Sequence, residues 1–388
     1  MAKLGDFMRI KHGFAFKGDY ITAEDNEIVL VTPGNFEIGG GFKEKKCKFF
    51  SGDYPKDYVL HADDLIVTMT DLSKQGDTLG YSARVPNSNR IYLHNQRIGL
   101  VDVFNPNADK DYLYWFMRTP QYQKKIVATA SGSTVKHTSP SRICDVEINL
   151  PSIDKQKKIA SLLTSIEKKI HISERINDNL EQQAAALFSS LYNRSNTEVR
   201  YTDLIQILGG GTPKTGETAY WNGNIAFFTP KDVGTPYTFI TEKTITEEGL
   251  SHCNSRLYPV NTVFVTARGT VGKVGLSGVP MAMNQSCYAL VGKETHQLLV
   301  YFYTLKAVDR LKHKASGAVF DAITTRDFDS EQIMELSDDD AKAFLCVAEP
   351  MFQEILNNSI ENLRLSTLRD FLLPKLMSGE IDVSSVQL

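Results

Sequence analysis

The stretch from Ser152 to Asn193 reads SIDKQKKIASLLTSIEKKIHISERINDNLEQQAAALFSSLYN and contains neither glycine nor proline. Apolar side chains recur in it at intervals of four and three residues, with one phase slip: Ile159, Leu163, Ile166, Ile170, Leu180, Ala184, Leu187 and Leu191. A seam this narrow is typical of a helix that pairs with another helix. The stretch therefore predicts a helical rod of roughly 60 Å, at about 1.5 Å per residue, that needs a partner.

The C-terminal segment supplies a second seam with similar spacing. Its apolar positions are Ala341, Leu345, Ala348, Phe352, Ile355, Leu363, Leu368, Leu372 and Leu376. Pro350 lies inside this seam, and we expect it to kink or interrupt the helix because proline removes a backbone hydrogen bond. Two such helices that pair antiparallel would hold two flanking domains apart. That arrangement suits contact with two separated DNA half-sites.

The sequence also contains an internal repeat. VTPGN (Val31–Asn35) is echoed by FTPKD (Phe228–Asp232), and the Asn-Gln pair of HNQRIGLV recurs in MNQSCYALV. ASGSTV from residue 130 is echoed by ASGAVF from residue 315, and NLEQQAAALF from residue 179 by NLRLSTLRDF from residue 362. The matches stay in order while their separation shrinks from 197 to 183 residues. This indicates a duplicated domain with loops of different length.

Each copy begins with short β-branched and aromatic runs such as EIVLVT and NTVFVTA, separated by Gly, Pro, Asn and Asp. A helix follows in each, over DYLYWFMRTPQYQKKIVATA and HQLLVYFYTLKAVDRLKHKA. The prediction is an α+β protein with two similar recognition domains, each a mixed β-sheet with helices, and two long helices that form an antiparallel coiled coil. The predicted boundaries are a first domain over 1–150, a spacer helix over 151–198, a second domain over 199–337, and a second spacer helix with tail over 338–388.

Composition bounds the class of protein. The 388 residues are 42% apolar, and the five cysteines are scattered without a C-x-x-C pair, which favours a reducing cytosol. No apolar run predicts a signal peptide or a membrane span, so we expect a cytoplasmic protein. The net charge is −3, with the acid concentrated in residues 336–388 at −5. A DNA-binding face must therefore be local. The histidines show no metal-ligand spacing, and we predict no cofactor.

The segment LGGGTPKTG, from Leu208, resembles a phosphate-binding loop without being one. The motif G-x-x-x-x-G-K-[ST] would need glycine at positions 208 and 213, and these hold Leu208 and Pro213. Proline has no N–H to offer a phosphate, so a nucleotide site is disfavoured. We interpret the glycines as a tight turn and expect Tyr220 and Trp221 to anchor the loop on the core.

Several motifs together resemble the specificity (S) subunits of type I restriction-modification enzymes. The segments on which this resemblance rests are LPSIDKQKKIASLLTSIEKKI, GGGTPKTGETAYWNGNIAFFTPKDV, VTARGTVGKVG, the Asn-Gln pairs, ASGSTVKHTSPSRICDVEINLP and TLRDFLLPKLMSGEIDV. They cover nearly the whole chain in the family's order. Two segments depart from the pattern: SDDDAKAFLCVAEPMF stands where Q-x-x-I-A is usual, which leaves the register of the second helix open, and KHGFAFKGDYI replaces the first G-T-P…Y-W opening.

The resemblance implies a non-catalytic subunit that recognises a bipartite, asymmetric target in double-stranded DNA. It also implies two methyltransferase (M) subunits as partners, with restriction (R) subunits held through them. The sequence has no [DNS]-P-P-[YF] tetrapeptide for a flipped base and no Walker A motif. Two alternatives stay open at this point: a self-contained DNA methyltransferase with duplicated domains, and a coiled-coil adaptor that does not bind DNA.

Candidate DNA contacts are cations on loops, because lysine and arginine position a protein on phosphates. The candidates are Lys43, Lys45, Lys46 and Lys48 in KEKKCK, Lys74 in TDLSKQGDT, Lys214 and Lys231 in the GGGTPK and TPKD segments, and Arg268 and Lys273 in ARGTVGK. The Asn95-Gln96 and Asn284-Gln285 pairs could read adenine. Their presence in both copies favours a structural role instead, since two domains that read different sequences should not share a base reader.

Overall fold

The structure is a computed structural model and describes residues 2–45, 47–73, 75–234, 236–314 and 322–383. The candidates Lys46 and Lys74 and the repeat ASGAVF lie outside the described residues. The chain forms two compact units. The first is Met1–Ile170 with Arg364–Leu388, and the second is His171–Leu363.

The first unit has short strands, three short helices and the beginning of a long one. Its strands are β1 Ala2–Lys3, β2 Met8–His12, β3 Ile21–Thr22, β4 Ile28–Val31, β5 Lys48–Phe50, β6 Val59–Leu60, β7 Leu65–Thr68, β8 Thr70–Asp71, β9 Ser82–Arg84, β10 Ile91–His94, β11 Ile98–Val103, β12 Lys136–His137 and β13 Glu147–Ile148. Its helices are α1 Lys110–Phe116, α2 Pro120–Ala128, α3 Pro140–Cys144 and the start of α4 Ile153–Arg194, with 3₁₀ turns at Leu4–Asp6, Gly18–Tyr20, Pro33–Asn35 and Lys56–Tyr58.

The second unit contains the rest of α4 and a similar set of elements. Its strands are β14 Thr197–Arg200, β15 Ile205–Gly209, β16 Trp221–Phe228, β17 Tyr237–Thr238, β18 Lys243–Ile245, β19 Val263–Thr266, β20 Val274–Ser277, β21 Met281–Met283, β22 Cys287–Gly292 and β23 Gln332–Glu335. Its helices are α5 Tyr201–Leu204, α6 Glu247–Ser251, α7 Gln297–Lys314, α8 Thr325–Ser330 and α9 Asp338–Ser378, whose last residues belong to the first unit, with a 3₁₀ turn at Thr218–Tyr220.

The two units share one strand order. A sheet β2-β11-β7-β9 in the first corresponds to β15-β22-β19-β20 in the second, where β17 adds an edge. The neighbouring sheets both contain an antiparallel pair beside a parallel one: β5-β4-β10 in the first unit and β18-β16-β21 in the second. Both sheets are mixed, and helices pack on them. The predicted duplicated α+β fold is therefore confirmed.

The helix predicted over residues 111–130 is two helices. Proline is tolerated in the first turn of a helix but not inside one. Accordingly α1 ends at Phe116, and α2 starts afresh at Pro120, where the Thr119 hydroxyl accepts a hydrogen bond from the Tyr122 amide at 3.2 Å. The matching segment of the second copy has no proline and forms the single helix α7.

The long helices supply core residues to both units. In the first unit, Ile159 and Leu163 of α4 share a buried cluster with Leu373 and Leu376 of α9. In the second unit, a buried cluster joins Phe188 of α4 to several residues of α9, and the Phe188 ring lies 5.4 Å from that of Phe344.

Ion pairs and amide contacts set the direction of the helix pair inside the second unit. Arg194 lies 2.6 Å from Asp340, whereas Asn177 bonds Asn358 at 3.0 Å, so residue numbers fall on one helix as they rise on the other. The two helices therefore run antiparallel there, as predicted for a coiled coil.

Two details of the second seam differ from the prediction. Leu368, placed in the seam by spacing, is 45% exposed, and Leu373 is buried in its neighbourhood instead. Pro350, expected to kink or interrupt the helix, does not interrupt it, because α9 continues through it to Ser378; a kink there stays a prediction. Proline costs about 3 kcal/mol inside a helix. The buried side chains of Ala348, Phe352 and Ile355 offset that cost around Pro350.

A polar layer interrupts the apolar contact between α4 and α9 in the second unit. The amide nitrogen of Asn358 donates to the Asn177 Oδ1 at 3.0 Å, and the Asn177 Nδ2 donates to the Ser359 hydroxyl at 3.3 Å. The Oδ1 of Asn362 is buried without a hydrogen-bond partner among the described residues. Polar side chains at such positions fix the register of paired helices at a cost in stability.

We expect Asn177→Ala to lower the free energy of unfolding by about 1–2 kcal/mol, because it removes two hydrogen bonds and leaves the half-buried Asn358 amide without its acceptor. The double variant Asn177→Leu with Asn358→Leu should recover most of this loss. Urea denaturation of each variant measures both effects. Asn357→Ala, at an exposed position on α9 next to Asn358, is the control and should change little. A single variant as stable as the control would contradict the role of the layer.

Candidate nucleic-acid interface

The T-P repeats form the same small turn in both units. The Asn35 Oδ1 accepts from the Thr32 amide at 2.9 Å, and the Asp232 Oδ2 accepts from the Thr229 amide at 2.8 Å. Each turn directly follows one strand of a parallel pair, β4 or β16. The repeat is thus explained by capping: the fourth residue must be Asn or Asp so that its oxygen can bind the backbone of the first.

The Asn-Gln pairs form a second turn, after the other strand of the same parallel pair. The Asn95 Oδ1 accepts from the Arg97 amide at 3.0 Å, and the Asn284 Oδ1 accepts from the Ser286 amide at 3.0 Å. Both asparagines therefore shape their own backbone, in agreement with the structural interpretation of the pairs. We call the two turns of each unit the paired turns: residues 32–35 with 95–97, and residues 229–232 with 284–286.

The glycine-rich segment packs against the second turn. A Cβ atom on Gly210 would lie 2.2 Å from the carbonyl oxygen of Asn284, and one on Gly13 in the first unit would lie 2.1 Å from that of Asn95. Only glycine permits this close approach. The Trp221 indole donates to the Lys214 carbonyl at 3.1 Å and so ties the loop to the sheet. The segment is a packing element, and the expected anchor role of Trp221 fits these contacts.

A cleft of about 420 Å³ opens beside the paired turns of the second unit. Three cations line it, together with one acid and several neutral groups: Lys231, Lys243, Arg268, Glu242, Thr229, Pro230, Gly269, Thr270, Asn284 and Ser286. Lys231 lies 3.3 Å from Glu242, but its side chain is 78% exposed. An ion pair this exposed is weak, so Lys231 can exchange Glu242 for a stronger anion.

The ARGTVGK loop forms one wall of this cleft and is held in place by hydrogen bonds. The Thr266 hydroxyl accepts from the Lys273 amide at 2.9 Å and donates to the Thr270 carbonyl. The Thr270 hydroxyl in turn donates to the Pro230 carbonyl at 3.0 Å, which ties this loop to the T-P-K-D turn. That contact brings Arg268 and Lys231, 37 positions apart in the sequence, to one site.

The predicted contact residues divide between this cleft and other surfaces. Lys231 and Arg268 line it, whereas Lys214 and Lys273 are exposed elsewhere in the second unit. In the first unit, Lys43 lies 3.5 Å from Glu37, and Lys45 and Lys48 are exposed. The roles of all these predicted residues in DNA contact stay predictions.

Sequence reasoning missed Lys243, whose ammonium lies 5.5 Å from the centre of the Trp221 ring. The sequence offers no clear signal for it, because lysine is ordinary at the first position of a short strand such as β18.

Neither a metal-binding cluster nor a membrane-spanning helix is found among the described residues. No group of three or more His, Cys, Asp or Glu side chains in this part of the chain could hold a metal ion. Within the same residues, no helix combines the length and apolar character needed to cross a membrane.

Comparison with known proteins identifies the family. The sequence model described as "Type I restriction modification DNA specificity domain" matches residues 1–182 and again residues 193–335. The type I restriction enzyme HindI specificity subunit of Haemophilus influenzae is 24% identical over 85% of this chain and 93% of that protein. The EcoR124I/EcoR124II specificity subunit of Escherichia coli is 35% identical over 100 residues, which is 24% of each chain.

A solved structure has the same fold. The type I restriction-modification system S subunit from M. genitalium matches 96% of this chain and 94% of its own, with a TM-score of 0.61 and 15% sequence identity. Together with the two matches to the family's sequence model, this confirms the predicted family. The chain therefore belongs to the type I restriction-modification DNA specificity subunits, the DNA-recognition component of these systems and not their catalytic one.

Proposed function

We propose that this chain recognises a bipartite, asymmetric target in double-stranded DNA, with each unit contacting one half. The support is internal: both units have the same strand order and the same paired turns, yet the charged side chains beside those turns differ. A shared backbone with different side chains is what two readers of different sequences require. We therefore expect the two half-sites to differ in sequence.

The observation that carries this proposal is the cation cluster in the second unit. Lys231, Lys243 and Arg268 surround one open cleft against a single carboxylate, in a chain whose net charge is −3. Such a local excess of positive charge fits the phosphates of a DNA backbone. We assign phosphate contacts to these three residues in the second half of the target.

We further propose that α4 and α9, with the faces beside them, hold two M subunits and, through these, the R subunits. Exposed apolar side chains support a protein-binding role: Ile172 and Ile176 on α4 in the second unit, and Leu368 and Phe371 on α9 in the first. We keep 1–150, 151–198, 199–337 and 338–388 as proposed functional segments. A cytoplasmic location follows from the proposed DNA and subunit partners.

The test is selection from a random pool of DNA duplexes. The full chain is purified together with its methyltransferase subunit, and bound duplexes are sequenced. We expect two defined half-sites separated by a constant gap. Selection of a single uninterrupted site, or of no sequence at all, would overturn the proposal. In a second arm, matched heptads inserted into α4 and α9 should change the gap and leave both half-sites as they were.

A further inference from the structure

The first unit repeats the backbone of the second unit's cleft. In both units a backbone amide after the strand β7 or β19 donates to the last residue of the Asn-Gln turn. The Met69 amide donates to the Arg97 carbonyl at 2.9 Å, and the Ala267 amide donates to the Ser286 carbonyl at 2.8 Å. Position 97 therefore corresponds to position 286, and Thr70, after Met69, corresponds to Arg268.

The two units carry their cations at different members of the set of corresponding positions. The second unit carries Lys231 and Arg268 beside a small neutral Ser286. At the same three places the first unit has Gly34, Thr70 and Arg97. Each unit thus has positive charge beside its paired turns. In the first unit the cation follows β10, whereas in the second unit the cations follow β16 and β19. A charge that is retained while its position changes indicates a need common to both units, and neutralising phosphate is such a need because every DNA sequence has the same backbone.

The structure leaves Arg97 available for this role. Its backbone is fixed on both sides, because the amide bonds Asn95 and the carbonyl bonds Met69. Its side chain is exposed, and in the described part of the chain the guanidinium has no ion pair or hydrogen bond. Most other exposed arginines of this unit are paired, as Arg9 is with Asp102 at 2.7 Å and Arg90 with Asp25 at 2.5 Å. A guanidinium on a rigid turn suits bidentate contact with a phosphate.

We infer that Arg97 is the DNA-phosphate contact by which the first unit holds its half of the target, at the place that corresponds to the cleft of the second unit. This rests on the proposed DNA-binding function. The contact positions the duplex and does not read a base. Substitutions at Arg97 should therefore change affinity without changing the preferred sequence.

The test uses the full chain purified with its methyltransferase subunit, and the duplex that the wild-type complex selects. We expect Arg97→Gln to weaken binding by about tenfold and to reduce the slope of log K against log salt by about 0.9. Both half-sites should stay unchanged in a random-pool selection. Arg97→Lys should keep the wild-type slope. The control is Arg9→Gln, which removes the same charge from an exposed site of the same unit and should leave the slope unchanged.

Each other outcome overturns the inference. If Arg97→Gln relaxes one base position of a half-site, Arg97 is a base reader. If affinity and slope stay at the wild-type values while the variant unfolds at the wild-type temperature, Arg97 does not contact DNA. If the wild-type complex itself selects no bipartite sequence, the proposed function fails first and this inference fails with it, so the two failures are distinguishable.

Discussion

Replacing Lys231 and Arg268 together by glutamine should weaken binding of the selected duplex by about a hundredfold or more, because each loses a charge-assisted hydrogen bond to phosphate. The slope of log K against log salt should fall by about 1.8, the value for two released counterions. Addition of Lys243→Gln should lower it by about 0.9 more. Titrations at several salt concentrations, with the chain bound to its methyltransferase subunit, measure both quantities.

The matched control for this double variant removes two cations outside the cleft. Arg200 and Lys293 are exposed in the same unit; Arg200 pairs with Asp203 at 3.0 Å, and Lys293 donates to the Thr202 carbonyl at 2.9 Å. Their replacement by glutamine changes the net charge equally and should leave the slope close to the wild-type value. Equal loss in both double variants would show a general effect of charge and would remove the cleft from the interface.

Glu167→Leu should destabilise the first unit by about 3–5 kcal/mol, because it leaves a buried arginine without its carboxylate. The Arg118 and Glu167 side chains are 5% and 15% exposed, and the Arg118 Nη1 lies 2.5 Å from the Glu167 Oε1. Tyr114 donates to the other carboxylate oxygen at 2.9 Å. Burial raises the pKa of Tyr114, so its hydroxyl remains a donor. Hydrogen exchange of α1 and α2 measures the effect within this unit.

The second unit supplies the control for this prediction. Its Tyr301, at the place of Tyr114, contacts Phe352 where the first unit has Glu167, and Leu305 stands at the place of Arg118. In the second unit Leu305 and Phe352 thus stand at the places of the ion pair, and the Tyr301 hydroxyl donates instead to Glu181 at 3.1 Å. The double variant Arg118→Leu with Glu167→Leu should therefore be clearly more stable than Glu167→Leu alone. Equal stability of the two would contradict an unpaired charge as the cause.

Periodicity and repetition predicted the fold because both can be recognised from the spacing of residues along the sequence. The seam positions Ile159, Leu163 and Ala184 are buried as expected, and the echo of T-P-x-[DN] marks equivalent turns in both units. Leu368 was misplaced because spacing alone does not show which side of a helix its neighbours cover. The helix is not interrupted at Pro350, one of the two outcomes expected there, because local preference is outweighed by packing against a distant segment.

The site was predicted only in part. Lys231 and Arg268 could be chosen from loop chemistry, but nothing in their sequence neighbourhoods shows that they share a cleft; the Thr270–Pro230 hydrogen bond decides that. Lys243 was missed because a single lysine at the first position of a short strand is ordinary. The correspondence of Arg97 with Ser286 is visible in the sequence, because each directly follows an Asn-Gln pair; the backbone hydrogen bonds of Met69 and Ala267 add that Thr70 and Arg268 correspond beside them.

The paired turns have a consequence for how the proposed affinity for DNA could evolve. The backbone beside the cleft is shaped by Asn, Asp, Thr and Gly, whereas the charged residues at positions 231, 268 and 97 contribute no side-chain bond that the turns need. Mutation can therefore move, add or delete a cation there with little penalty to folding. The protein thus separates the residues that keep its shape from those proposed to hold the DNA backbone, so affinity for DNA can change on an unchanged scaffold.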